Sequence, residues 1–221
     1  MGVIVAIDGP AGAGKSSVAG AVADRLGFVR VDTGALYRAV TLLALERGLS
    51  SADASALEAL TSALDLRFDG GRVLLEGRDV TDAIRSREVT AAVSAISAVP
   101  QVRRALLGLQ RRLGRAHPSG AILEGRDIGT VVFPDAEVKV FLTASDEERA
   151  RRRHAELVAA GRPDSYEDVL DGIRGRDAHD AGRRTAPLKP AESAVRIDTT
   201  EHDFEQVVQR VLDVVRRSLD G

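Results

Sequence analysis

The chain has 221 residues, 31 Lys plus Arg against 33 Asp plus Glu, a net charge of −2 and no cysteine. That length can bury a full core of about one to one and a half domains, while the lack of thiols excludes a disulfide framework, thiolate zinc sites and cysteine catalysis, and fits a reducing cytoplasm. The near-balanced charge gives no long-range pull toward nucleic acid or membrane, and 3% aromatics are too few for a sheet of base-stacking rings.

The chain opens on Val3-Ile4-Val5-Ala6-Ile7, a short β-branched run before Asp8-Gly9-Pro10. It reads as a buried parallel strand and not as a secretory signal, which needs a basic start and a longer apolar stretch. No run reaches 18 apolar residues, so no membrane span is expected. After a glycine-rich turn, Val18, Val22 and Leu26 recur every four residues, one face of a helix that Gly27 can end in a left-handed cap. Phe28 to Val31 makes a second strand, and Asp32-Thr33 can cap a helix whose Leu36, Val40 and Leu43 share a face. Strand, glycine turn, helix, strand, helix is the alternation of an α/β fold with a parallel sheet.

The alternation then breaks. Residues 51–64 look helical, and Asp69-Gly70-Gly71 is a hairpin turn between Leu66-Arg67-Phe68 and Arg72-Val73-Leu74-Leu75. A hairpin inside a βα series predicts an insertion that leaves the main sheet. From Pro100 a helix runs to about Leu113, with Val102, Leu106, Leu109 and Leu113 inward. Ala121-Ile122-Leu123 and Val138 to Leu142 are further buried strands. Ser145 with Glu148 three residues on is a capping box. From Arg149 to Arg184 apolar residues thin out and nine arginines occur, which predicts an exposed, mobile segment. Val195-Arg196-Ile197 closes the sheet, and a last helix presents Phe204, Val207, Val208, Val211, Leu212 and Val215 to it.

Gly9-Pro10-Ala11-Gly12-Ala13-Gly14-Lys15-Ser16 fits the phosphate-loop pattern G-x-x-x-x-G-K-S/T. Backbone N–H groups must crowd an anion here, so side chains are absent or small. The helix that follows aims its positive end at the same anion. Lys15 suits the β and γ phosphates, and the Ser16 hydroxyl suits Mg²⁺. Such a loop serves switches, motors and kinases alike. The guanine-reading Asn-Lys-x-Asp motif cannot exist in a chain without asparagine. The best candidate for a motor's magnesium-side carboxylate is the strand ending Leu123-Glu124-Gly125-Arg126-Asp127, a poor match. A small-molecule kinase accounts for the rest, because only three of the 31 basic residues are lysine and arginine forks suit two phosphorylated substrates. A phosphate acceptor is already largely a dianion at neutral pH, so no general base is needed. Shikimate and dephospho-coenzyme A kinases share these features, and a nucleotide-dependent regulatory module or an RNA-binding arginine segment remain alternatives from other classes.

Four stretches narrow the choice: Ile7 to Ser17; Val31-Asp32-Thr33-Gly34-Ala35-Leu36-Tyr37-Arg38; Glu124 to Ala136; and Arg176-Asp177-x-x-Asp180-x-x-Arg183 with Ala186-Pro187-Leu188. Together they resemble bacterial cytidylate kinases over the length of the chain. Thr33 stands where serine is common in that family, and Ser16 where many members have glycine. The resemblance implies a P-loop kinase with a central parallel sheet flanked by helices. It implies a core at about 1–37, 101–148 and 185–221, a nucleotide-monophosphate-binding insertion at about 38–100 and a lid at about 149–184. It further implies a monomeric cytoplasmic enzyme that uses Mg²⁺ and ATP to phosphorylate CMP and dCMP, with no nucleic acid or membrane partner.

By the same resemblance Gly9, Pro10, Ala11, Gly12, Ala13, Gly14, Lys15, Ser16 and Ser17 would bind ATP. Thr33, Arg38, Arg126 and Arg183 would hold the CMP phosphate, Arg176 and Asp180 the ribose, and Ser94, Arg103 and Asp127 the cytosine. Lys15, Arg126 and Arg183 would be catalytic. One of Arg149, Arg151, Arg152 and Arg153 would be the lid arginine on ATP. Read without the resemblance, Arg103 is a solvated helix position, and Arg151-Arg152-Arg153 is a solvated charge run. Arg126-Asp127 is placed best, since ligands of open α/β sheets lie beyond strand ends. His117, His154, His179 and His202 show no ligand spacing.

Overall fold

The computed structural model describes residues 2–161 and 164–219. Arg162 and Pro163 of the expected lid, and Met1, Asp220 and Gly221 of the expected core, lie outside the described residues. The chain divides into two compact units, one of residues 1–31 and 113–221 and one of residues 32–112.

The first unit is built on a five-stranded sheet in the order β2-β6-β1-β7-β8. Its strands are β1 (Val3–Asp8), β2 (Val29–Asp32), β6 (Gly120–Gly125), β7 (Val138–Thr143) and β8 (Val195–Asp198). β1 pairs in parallel with β6 on one side and β7 on the other, and β7 pairs in parallel with β8. The register sets Ile7 beside Glu124 and Asp8 beside both Gly125 and Phe141. β1 is buried on both faces, which explains its unbroken apolar run. One face of the sheet packs Val5, Ile7, Ile122, Val140 and Leu142 against two helices. These are α1 (Lys15–Leu26), through Val18 and Val22, and α8 (Phe204–Leu219), through Val207, Val208, Val211, Leu212 and Val215. Each such side chain contributes about 1.5–3 kcal/mol on burial. Phe204, expected inward, is 48% exposed, because it opens the helix one turn ahead of the buried stripe. Gly27 ends α1 at φ 66°, the left-handed cap the sequence predicts.

The arginine-rich segment expected to be exposed and mobile is helical for much of its length, in α6 (Asp146–Ala159), which starts beside Ser145 as expected, and α7 (Tyr166–Ala181). They pack on each other through a small core of Ala150, Leu157, Val169 and Ile173. The arginines there are paired: Arg151 and Arg152 with Glu148, Arg153 with Glu156, and Arg174 with Asp146 and Glu147. Half of the capping box at Ser145 forms, its hydroxyl accepting from Glu148 N–H. The other half does not: the Glu148 carboxylate turns to Arg151 and Arg152, and Thr200 Oγ1 accepts the Ser145 N–H at 2.9 Å.

The second unit holds α2 (Thr33–Glu46), α3 (Ala54–Ser62) and α4 (Arg87–Ala98), most of α5 (Pro100–Arg115), and a separate antiparallel sheet β3-β4-β5. Its strands are β3 (Leu66–Asp69), β4 (Arg72–Leu75) and β5 (Arg78–Asp79), with the hairpin turning at Gly70-Gly71 as expected. Asp32 caps α2 by accepting the Ala35 N–H at 3.0 Å. Val102 and Leu106 of α5 are buried, while Leu109 and Leu113 are only half-buried. α4 packs on α2 and has no counterpart in the sequence-based expectation.

Candidate active site

The carboxyl ends of β1, β6 and β7 set the site. From β1 the chain crosses to β2 on one side of the sheet and from β7 to β8 on the other, so it departs in opposite directions from these two neighbouring carboxyl ends, the usual ligand position in open α/β sheets. The glycine-rich loop leaves β1 at Gly9. A side chain at Gly9 would bring its Cβ to 2.0 Å from the Leu142 carbonyl oxygen, so the loop can lie on β7 only with glycine there. Gly12 has φ +76° and lies against Arg149, whose Cβ would be 3.1 Å from an added Cβ. Gly14, at φ 82°, precedes the first turn of α1, which carries no acidic residue. The start of such a helix suits an anion.

Lys15 is 7% exposed, and its Nζ donates to the Pro10 carbonyl at 2.7 Å. Burial pushes its ammonium down to about 7; the nearby Arg126 adds to the effect, and Glu124, Asp8 and Asp180 oppose it. Arg176 is likewise held below the usual arginine range, by burial first and by Arg126 second. Positive charge is thus packed tightly enough to repel itself, which favours an anionic ligand.

Two of the sequence-predicted arginines of this unit meet on Asp180. Arg126 Nε donates to Asp180 Oδ2 at 3.1 Å, and Arg183 pairs with Asp180 Oδ1. Asp127 is buried at the start of a π-helical turn, Ile128–Val132, whose Val131 and Val132 N–H groups donate to its carbonyl. In the second unit Arg38 Nη1 donates to the Ile84 carbonyl at 3.1 Å and to Thr90 Oγ1 at 3.0 Å. Arg103 is buried, not solvated: its guanidinium lies 5.2 Å from the centre of the Tyr37 ring and donates to the Ser97 carbonyl. Thr33 is buried and Ser94 half-buried.

Four residues take places that the sequence reading did not give them. Glu124, dismissed there as a poor match for a magnesium-side carboxylate, is buried, and the Ser16 hydroxyl donates to its Oε2 at 2.6 Å. Arg30 stands 3.7 Å from its other oxygen and donates to the Ser16 carbonyl. Strand register carries the signal: Glu124 ends the strand beside β1, level with Ile7. Arg149 is 3% exposed and donates to the carbonyls of Ala144 and Ala11, pairing also with Asp146 and Asp177. It is a strut between α6, α7 and the phosphate loop. Asp8 takes the N–H groups of Ile128 and Gly129, each at 2.8 Å.

A glycine cradle with a buried lysine, opening at the switch point of a parallel sheet among clustered guanidinium groups, defines a P-loop phosphotransferase. A family model described as "Cytidylate kinase" matches residues 5–217. A cytidylate kinase from Mycolicibacterium paratuberculosis is 51% identical over 219 residues, covering 97% of this chain and 96% of that one. One from Caldanaerobacter subterraneus subsp. tengcongensis is 48% identical over 219 residues, covering 99% and 97%. The chain belongs to the cytidylate kinase family, a family of phosphotransferases. Among solved structures, a gluconokinase from Sinorhizobium meliloti superposes with a TM-score of 0.50 at 16% identity, covering 98% of this chain and 92% of that one, a likeness of fold.

Proposed function

We propose that the chain transfers the γ-phosphate of ATP to CMP, giving ADP and CDP, and that dCMP is accepted too. The observation that carries this reading is the burial of Lys15 and Arg176 beside Arg126: burial first, and the charge of Arg126 second, lower the pKa of both. Two phosphorylated substrates would offset that positive charge.

In this reading the N–H groups of the loop at 9–17 and the start of α1 hold the ATP phosphates, and Lys15 leaves the Pro10 carbonyl for them. Arg126 and Arg183 neutralise charge that spreads over the transferring group. The CMP phosphate is itself the nucleophile, so no side chain need remove a proton. Thr33, Arg38, Arg126 and Arg183 are the proposed ligands of the CMP phosphate, Arg176 and Asp180 of the ribose, and Ser94, Arg103 and Asp127 of the cytosine. Asp127 accepts the exocyclic amine of cytosine; uracil presents a carbonyl in that place and leaves the carboxylate facing an acceptor.

The Ser16–Glu124 pair fits Mg²⁺, which takes hard oxygen ligands, keeps few protein contacts and completes its shell with phosphates and water. Among the described residues no cluster of three or more His, Cys, Asp or Glu is arranged for a metal, so a metal here relies on the nucleotide. When bound, Mg²⁺ supplies charge neutralisation at the phosphates. The segment 149–184 is the proposed lid, 38–100 the proposed monophosphate-binding insertion, and the rest the core. Arg152 is the proposed lid contact with ATP: its Nη1 lies 4.0 Å from where a Cβ on Gly14 would stand, and it would exchange the Thr199 oxygens it now meets for phosphate. Among the described residues no helix is long and apolar enough to cross a membrane. We place the enzyme in the cytoplasm as a monomer, in keeping with a cysteine-free chain.

The test is coupled ADP release with CMP, dCMP, UMP, AMP, GMP and shikimate as acceptors. CMP should be the fastest, with UMP poorer. Equal rates with all six, or none with CMP, would refute the assignment.

A further inference from the structure

Asp8 ends β1 one residue before the phosphate loop, and it is 3% exposed. Its two carboxylate oxygens accept one N–H each, from Ile128 and from Gly129, both at 2.8 Å. Those N–H groups open the π-helical turn that follows Arg126 and Asp127. The turn cannot cap itself, because Asp127, at its N-cap position, makes no side-chain capping bond. The loop that carries the two acceptor-binding residues is therefore fastened from the neighbouring strand.

The fastening costs something. Burial pushes the Asp8 carboxyl up to about 6 in spite of the two N–H bonds, and Asp127 adds to the rise, while Lys15 counters it. An apolar residue here would avoid that cost, but it would leave two buried N–H groups without acceptors. Asparagine offers one oxygen, and its NH₂ would face the second N–H. Only a carboxylate presents two acceptors at that spacing. Space is limited as well: an added Cβ on Gly129 would be 3.5 Å from Asp8 Oδ2 and 3.3 Å from the Lys139 side chain, so the turn lies close on β1.

We propose that Asp8 is a positioning residue that fixes the Arg126–Asp127 pair relative to the phosphate loop, and so sets where the acceptor nucleotide sits with respect to ATP. This rests on the acceptor role given above to Arg126 and Asp127. Asp8 touches neither substrate. It acts through the backbone of residues 128 and 129, and its loss should be felt by the acceptor and not by ATP.

The experiment measures both KM values, and ATP affinity by equilibrium dialysis, for the wild type and Asp8→Asn. The expected result is a KM for CMP raised tenfold or more, with ATP affinity within twofold of wild type. Parallel loss of both, or no change in either, overturns the proposal. A second measurement needs no variant to fold: amide hydrogen exchange of the wild type should show Ile128 and Gly129 protected, and fast exchange at both overturns it too. If the wild type prefers an acceptor other than CMP, the functional reading fails on its own, and the same split is then read with that acceptor.

Discussion

Replacing Lys15 by methionine should abolish turnover and yet make the protein more stable, by an amount that depends on pH. The lysine is buried and its folded-state pKa falls from 10.5 to about 7. At about 1.4 kcal/mol per pKa unit, holding the charged form at or below pH 7 costs on the order of 5 kcal/mol relative to the unfolded chain. Methionine has similar length and no charge to desolvate, but it leaves the Pro10 carbonyl without the Nζ donor, at about 1–3 kcal/mol. The net gain is on the order of 2–4 kcal/mol at pH 6, or roughly 4–16 °C in Tm for a chain of this size. Between pH 7 and 10.5 the unfolded chain binds more protons than the folded one at this position, so wild-type stability rises with pH in that window. The advantage of the variant should therefore shrink steadily from pH 7, vanish between about pH 8.4 and 9.8, where the remaining burial cost equals the lost Nζ bond, and reverse by 10.5. Urea unfolding of both proteins at pH 6, 7, 8.5 and 10 measures it. A variant less stable than wild type at pH 6, or an advantage equal at pH 6 and pH 10, refutes the argument that Lys15 is a strained, buried cation awaiting an anion.

Glu124→Gln keeps the shape of the side chain and removes the charge beside Ser16. The Mg²⁺ concentration for half-maximal rate should rise ten- to a hundredfold, and an unchanged requirement in a magnesium titration would detach Glu124 from the metal. Gly12→Ala places a Cβ 3.1 Å from the Arg149 Cβ at a φ of +76°. It should cost about 1–3 kcal/mol in stability and weaken ATP in dialysis; wild-type values for both would show that the loop does not need the glycine.

The phosphate loop and the hairpin at Asp69-Gly70-Gly71 were legible because their chemistry is local: a few glycines and one lysine state the backbone path. α4 and α7 were not. In α7 only Val169 and Ile173 are buried apolar residues among a majority of charged and small ones, so the 3.6-residue period is diluted, and the helix owes its place to α6. In α4 the β-branched Val89, Thr90, Val93 and Ile96 blur the helical preference, and packing on α2 decides. Arg103 looked solvated because its cover, the Tyr37 ring, is 66 residues away in sequence. Asp8 and Glu124 are single carboxylates at strand ends. Their partners, at positions 128–129 and 16, come into reach only once β1 and β6 are paired in register, which spacing along one chain does not disclose.

The account stands most directly on where the γ-phosphate goes. Purified chain incubated with Mg²⁺, γ-labelled ATP and CMP should move the label into CDP, with the Lys15→Met protein moving none. Label that stays in ATP, or is recovered only as inorganic phosphate, would contradict it.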